Sequence, residues 1–195
     1  MPRTKEQNMI IRAEKRQLIM DSALHLFAEN GFESTSIDNI AQHAGISKGL
    51  LYSYFECKDD LLYQILVSGM QTVTDNFHPE MTMEEFLTSI EKTFDHIAKN
   101  RTFFKLYTII SVQPKVSQNL VKMVGEKNFH SQSISFFKKH FGEKAIEEII
   151  LYATITKGYS IVATFSDQQN VFPVDLLKNT IMNFLRERYK LDIRV

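Results

Sequence analysis

The side chains best able to do chemistry lie close together between Thr35 and Lys58. This stretch contains hydroxyl side chains, the phenols of Tyr52 and Tyr54 and the ammonium groups of Lys48 and Lys58. All of these groups donate hydrogen bonds, and the lysines add positive charge. The chain shows no nucleophile elbow, phosphate-binding loop or dinucleotide-binding turn. The residue types therefore favour binding over catalysis, and we expect no enzyme.

Metal and redox chemistry have little support in the sequence. The six histidines form no pair four residues apart and no carboxylate-rich cluster, so we expect no metal site and no cofactor. Cys57 is the only cysteine, which excludes an internal disulfide and a cysteine-cluster metal site. Cys57 itself leaves two interpretations open, an oxidant sensor or a solvated bystander.

A helix-turn-helix is predicted to position the donors. Ala41 is small enough to let a following helix cross closely, and Gly45 permits the left-handed backbone of a tight turn. Ser47 can cap a second short helix, and Leu51 returns an apolar side chain to the junction. This layout places the second helix in the major groove of DNA. Other helical hairpins with a glycine turn share the spacing, so the pattern alone leaves both interpretations open.

The rest of the chain also favours helices. Seven glycines and four prolines in 195 residues suit long helices joined by short turns. A first helix is predicted from about residue 14 to 30, another from Lys58, and about five more follow. We expect an all-α protein with a DNA-binding domain over 1–60 and a helical ligand-binding and dimerisation domain over 61–195. No signal peptide or membrane span is evident, so we expect a cytoplasmic protein.

Charge argues against a simple nucleic-acid binder. Lys plus Arg and Asp plus Glu both total 23, so the formal net charge is +0. Residues 1–60 hold 7 basic and 9 acidic side chains. One basic cluster, around Arg12, Lys15 and Arg16, fits a solvated helix end or an arm that reaches the minor groove. Any DNA-binding function must therefore depend on local geometry.

One segment carries a family resemblance. It reads Gly45-Ile-Ser-Lys-Gly-Leu-Leu-Tyr-Ser-Tyr-Phe-Glu-Cys-Lys-Asp-Asp-Leu61. Together with Ala23, Phe27 and Gly31-Phe32 before it, this segment resembles the tetracycline-repressor (TetR) family over about residues 14–62. A tyrosine, a second aromatic two residues on, a phenylalanine and then a lysine three residues later is a specific pattern of that family.

The resemblance implies an all-helical homodimer with a small DNA-binding head on each subunit. The last two helices of such proteins usually build the dimer interface, and the larger domain often holds a ligand cavity. Ligand binding changes the spacing of the heads and releases a palindromic operator. The implied partners are therefore double-stranded DNA, a second copy of the chain and a small hydrophobic ligand, without a membrane.

The resemblance also assigns roles to individual residues. By position, Ser47, Lys48, Gly49 and Leu50 face the bases. The residues that would contact the DNA backbone are Thr35 or Ser36, Tyr52, Tyr54 and Lys58. Lys48 is the one long donor on the exposed face and could pair with guanine, which presents two acceptors in the major groove. Two departures from the family pattern, Leu50 in place of threonine and the acidic Asp38, leave the operator sequence open.

The carboxyl-terminal part is rich in aromatic residues, which suits an apolar ligand cavity. The candidate ligand contacts are Phe103, Phe104, Tyr107, Met123, Phe129 and Tyr159. A packed core explains the same residues equally well.

Taken together, these features predict a homodimeric transcriptional repressor released from its operator by an apolar ligand. The neutral-to-acidic head motivates an alternative, a helical dimer that binds a small molecule or a partner and has weak or lost DNA binding. Activation in place of repression is also open at this stage.

Overall fold

The computed structural model describes residues 4–75, 78–113, 129–166 and 173–190. All regular structure within these ranges is helical, as predicted, and none of these helices is long and apolar enough to cross a membrane. The α-helices are α1 (Lys5–Asn30), α2 (Ile37–His43), α3 (Lys48–Tyr52), α4 (Lys58–Asp75), α5 (Met83–Lys99), α6 (Arg101–Ser111), α7 (Phe129–Phe141), α8 (Ala145–Phe165) and α9 (Val174–Arg188), with a short 3₁₀ turn at Gly142–Lys144.

The chain forms two compact units, Met1–Gly69 and Met70–Val195. The division therefore falls inside α4, whereas the sequence predicts a boundary between residues 60 and 61. The first turns of α4 belong to the first unit, to which buried side chains and a hydrogen bond from α1 connect them. Leu61 and Ile65 are buried there, and the Arg16 guanidinium of α1 donates to Gln64 Oε1 of α4 at 3.0 Å.

The first unit surrounds a small apolar core. Its fully buried side chains come from several helices and include Ile19, Phe27, Ile40 and Leu51. Helix α1 begins earlier than the predicted residue 14, because Thr4 and Gln7 form a reciprocal capping box at its start. It ends where predicted, at a glycine that adopts a φ of +85°.

The second unit is built around α8, which packs against α5, α6, α7 and α9. Aromatic rings fill its centre. Phe86 contacts Phe136 and Phe137, and Phe94 stacks on Tyr159 with ring centroids 4.2 Å apart. The sequence predicts one long or broken helix over 116–141. Residues 116–128 of that range lie outside the described residues, and α7 accounts for the remainder.

Candidate nucleic-acid interface

Ser36, and not Thr35, caps the start of α2. The Asn39 N–H donates to Ser36 Oγ at 3.1 Å, and the Ser36 N–H donates to Asn39 Oδ1 at 3.1 Å. Thr35 is buried, and its hydroxyl donates to the carbonyl of Gly31 at 2.8 Å. Thr35 and Ser36 were the two candidates for a DNA-backbone contact at the start of α2. Only Ser36 has an exposed side chain there.

The turn between α2 and α3 has the conformation that its glycine predicts. Gly45 adopts a φ of +63°, and the Ile46 N–H that follows donates to the Ala41 carbonyl at 3.0 Å. Ser47 then caps α3 by accepting the Leu50 N–H at 3.2 Å. Leu51 is the buried residue of α3 and fixes the helix on the core. Two short helices joined by a tight turn result.

The outer face of α3 is open to solvent. Ser47, Lys48 and Gly49 are exposed, and the larger side chains of Leu50 and Tyr52 are 39% and 48% exposed. Within the part of the chain that the structure describes, a Cβ added at Gly49 would meet no atom within 4 Å, so these residues do not require glycine there. The predicted base-facing residues are thus all open to solvent.

Lys48 has an acidic neighbour that the sequence pattern did not pair with it. Its ammonium lies 2.8 Å from Asp38 Oδ2, and both side chains are mostly exposed. The hydrogen bond that Lys48 donates to the Asp38 carboxylate, reinforced by the negative charge of that group, raises the pKa of Lys48. The departure at Asp38 therefore acts directly on the residue predicted to read guanine.

Two arginines of α1 lie against aromatic residues that follow α3. The Arg12 guanidinium lies 5.4 Å from the centre of the Tyr54 ring, and that of Arg16 lies 5.1 Å from the Phe55 ring. Tyr54 is half-buried. The sequence indicates the basic cluster but not these contacts with aromatic rings. The run Tyr52-x-Tyr54-Phe55 was the signal from which such contacts could have been predicted. Part of the basic cluster is thus packed beside the candidate interface.

Lys58 points into the first unit. Its ammonium donates to the carbonyls of Phe32 at 2.8 Å, Thr35 at 3.0 Å and Glu33 at 3.4 Å. It also lies 4.4 Å from the centre of the Phe32 ring. The neighbouring Cys57 is exposed, and its sulfur accepts the Asp60 N–H at 3.4 Å, as a cap for α4.

The candidate ligand residues lie among core side chains of the second unit. Phe103 and Phe104 are buried and in contact with each other, and Tyr107 is half-buried. Burial raises the pKa of Tyr107, and it raises that of Tyr159 to about 12. Met123 and the side chain of Phe129 lie outside the described residues.

Two polar groups in the second unit stand out. The hydroxyls of Thr156 and Ser160 are buried and have no hydrogen-bond partner among the described residues. An unpaired buried hydroxyl is costly, so it favours a bound polar group or water beside it. Across the same described ranges, no group of three or more His, Cys, Asp or Glu is placed to hold a metal.

The fold and the exposed α3 define an all-helical protein with a helix-turn-helix head. Residues 19–65 match the family described as bacterial regulatory proteins, tetR family. The FadR transcriptional regulator from Bacillus subtilis, solved in complex with stearoyl-CoA, superposes with a TM-score of 0.70 at 18% identity, covering 87% of this chain and 96% of that chain. Residues 19–65 therefore carry the sequence of the tetR family of bacterial regulatory proteins, and the remainder of the chain shares the fold of the superposed regulator.

Two curated relatives, both from Bacillus subtilis (strain 168), agree with this placement. The HTH-type transcriptional regulator YerO is 25% identical over 170 residues, which cover 81% of this chain and 59% of YerO. The HTH-type transcriptional regulator YuxN is 49% identical over 53 residues, 27% of this chain and 18% of YuxN. The chain thus matches less than two thirds of the length of either relative.

Proposed function

We propose that this chain is a sequence-specific DNA-binding transcription regulator, a homodimeric repressor that acts on a palindromic operator in the cytoplasm. The observation that carries the proposal is the outer face of α3. It exposes a lysine, a serine, a glycine and an apolar side chain on a helix that Leu51 anchors to the core. A second helix held in this way fits the major groove.

The exposed side chains can supply contacts to the DNA bases and contacts to the phosphates. Lys48 can donate to the O6 and N7 acceptors of guanine, and Leu50 can contact a thymine methyl group. Ser36 and Tyr52 are exposed donors mounted on short rigid helices, which suits phosphate contacts. Arg12 adds positive charge beside Tyr54. A local basic surface is therefore compatible with a neutral chain.

A second copy of the chain is the proposed occupant of an apolar face on the last two helices. The exposed apolar residues of α8 and α9 are Ile146, Ile150, Ile161, Phe165, Leu176 and Phe184. They recur at helical spacing, and α8 packs on α9 in the described structure. An operator with two half-sites requires two heads, and a two-fold dimer uses the same surface on both copies.

A hydrophobic ligand with a polar group is the proposed effector. The aromatic core offers apolar contacts, and the buried Ser160 hydroxyl offers one polar anchor. Because the superposed FadR was solved with stearoyl-CoA, that compound is a rational first probe. Stearoyl-CoA should release the chain from DNA, whereas coenzyme A alone should not. Equal effects of both compounds would contradict an apolar effector.

The DNA-binding proposal is tested by selection from a random-sequence pool. Purified protein is incubated with the pool at two salt concentrations, and the bound DNA is sequenced. We expect a palindromic site whose affinity falls steeply as salt rises, because phosphate contacts release counterions. Recovery of no enriched sequence at either salt would contradict the proposal.

One observation favours a second candidate function. Asp38 lies within hydrogen-bonding distance of Lys48 and neutralises part of the positive charge on the head. A helical dimer that binds a partner or small molecule, with weak DNA binding, would tolerate such a neutral head. The same selection separates the two functions, since this second candidate retains DNA weakly and without sequence preference even at low salt.

A further inference from the structure

The Lys58 ammonium is fully engaged by the protein itself. A lysine ammonium has three N–H donors, and three carbonyl oxygens lie between 2.8 and 3.4 Å from Lys58 Nζ. The face of the Phe32 ring lies against the same ammonium, 4.4 Å from the ring centre. A phosphate oxygen would have to displace at least one of these partners.

The three carbonyls belong to the loop between α1 and α2. That loop continues directly into Ser36, the N-cap of α2, and Thr35 ties it back to the end of α1 through a hydrogen bond to Gly31. Lys58 is the first residue of α4. The ammonium therefore joins the start of α4 to the segment that sets where α2 begins.

The position of α2 determines the position of α3. The Ile46 N–H donates to the Ala41 carbonyl across the turn, and Leu51 anchors α3 on the same core as Ile40 of α2. A shift in the loop before α2 would therefore be passed on to the exposed residues of α3. A misplacement of about 1 Å is enough to impair a site built from oriented groups.

We propose that Lys58 is a positioning residue, which holds the loop before α2 and thereby orients α3, and that it does not contact a DNA phosphate. This inference rests on the proposed DNA-binding function and deepens it. The resemblance to the TetR family implies the opposite role, a backbone contact, so the two roles can be set against each other experimentally.

The first test uses Lys58→Met, which keeps the aliphatic stem and removes the donors. Operator affinity is measured at several salt concentrations, at a temperature where circular dichroism shows both proteins fully folded. We expect operator affinity to fall by about tenfold or more at every salt concentration. The slope of log affinity against log salt concentration should stay unchanged. A slope reduced by about one would identify a phosphate contact and overturn the proposal. Unchanged affinity of the folded variant would overturn it as well.

Lys99→Met is the matched control, because it removes the same charge from an exposed position in the second unit. It should leave both affinity and slope unchanged. If the wild-type protein binds no DNA at all, the proposed function fails, and this failure is distinct from a wrong role for Lys58.

A second test measures the reactivity of each lysine, and its free-protein arm needs no DNA and therefore stands apart from the proposed function. Free protein and DNA-bound protein are acetylated briefly, and each lysine is quantified by mass spectrometry. Lys58 should react much more slowly than the exposed Lys15 in the free protein, and DNA should change its rate little. Reaction of Lys58 as fast as Lys15, followed by protection on DNA, would overturn the positioning role.

Discussion

At the scale of single residues, Gly49 is a glycine that folding does not require but that DNA binding would. It lies in a five-residue helix, it is not among the residues with positive φ, and a Cβ there would touch no atom of the described residues. Glycine weakens a helix by about 1 kcal/mol relative to alanine. Since the fold gains nothing from glycine there, we propose that DNA approaches closely at this position.

Gly49→Ala should therefore stabilise the protein and weaken DNA binding. We expect the free energy of unfolding to rise by about 0.5 to 1 kcal/mol, because alanine favours the helix. Operator affinity should fall, because the added methyl group would meet the bases or sugars. Urea denaturation and fluorescence anisotropy measure the two effects. A variant that is more stable and still binds operator DNA with wild-type affinity would contradict the role given to Gly49.

The sequence predicted the exposure of the candidate interface residues better than their hydrogen-bond partners. The exposure of Ser47, Lys48 and Leu50 follows from helical periodicity around Leu51. The pairing of Lys48 with Asp38 did not follow, because it joins side chains of two different helices. Contacts of that kind depend on the crossing of α2 and α3, which a local pattern does not contain. Their roles on DNA stay predictions.

At the scale of elements, hydrogen bonds between polar side chains join the last two long helices, α8 and α9. Glu148 of α8 is nearly buried, and its carboxylate accepts hydrogen bonds from Arg188 and from Tyr189 at the end of α9. The hydrogen bond from Arg188 outweighs burial and lowers the pKa of Glu148. Burial, with a further contribution from Glu148, raises the pKa of Tyr189.

Glu148→Gln should destabilise the protein at neutral pH but much less in acid. The folded-state pKa of Glu148 lies below its unfolded value of 4.5, so its stabilising effect is present above that pH and is lost as pH falls through the folded pKa. We expect a loss of about 1 to 3 kcal/mol at pH 7. Denaturation at pH 7 and pH 3 measures the difference.

Glu147→Gln provides the control for this pair, because Glu147 is the exposed neighbour on the same helix. It should change stability little at either pH. A penalty for Glu148→Gln that is equally large at both pH values would show that the side chain acts through packing and not through its charge.

Helix boundaries were predicted well where a single residue dictates them. Gly31 and Gly142 both adopt positive φ at the ends of long helices, as their sequence positions suggest. The start of α1 was missed, because the capping box of Thr4 and Gln7 lies in a polar segment without apolar periodicity. Local capping chemistry, and not hydrophobic pattern, extends that helix.

At the scale of the whole molecule, the exposed apolar face of α8 and α9 should govern assembly. Ile150→Glu, combined with Leu176→Glu, places charges on that face. We expect the variant to sediment as a monomer and to lose most of its operator affinity, since one head makes only one set of half-site contacts. Analytical ultracentrifugation and anisotropy measure the two effects.

Val112→Glu is the matched control, because Val112 is an equally exposed apolar residue of the second unit outside those helices. It should leave both assembly and affinity unchanged. A dimer that survives the double substitution would place the interface elsewhere.

Net charge was the least informative property of the sequence. A total of +0 offers no support for DNA binding, yet the structure places Arg12 beside Tyr54 and exposes Lys48 on α3. Binding responds to the local arrangement of charges, which only the fold creates. The all-helical class, by contrast, was predictable from residue spacing.

The most direct test of the account compares DNA selections by the wild-type protein and by Lys48→Ala. The wild type should select a palindromic site. The variant should lose its preference at one base pair in each half-site, while the rest of the site is retained. An identical site for both proteins, or no symmetric site for the wild type, would contradict recognition of DNA through α3.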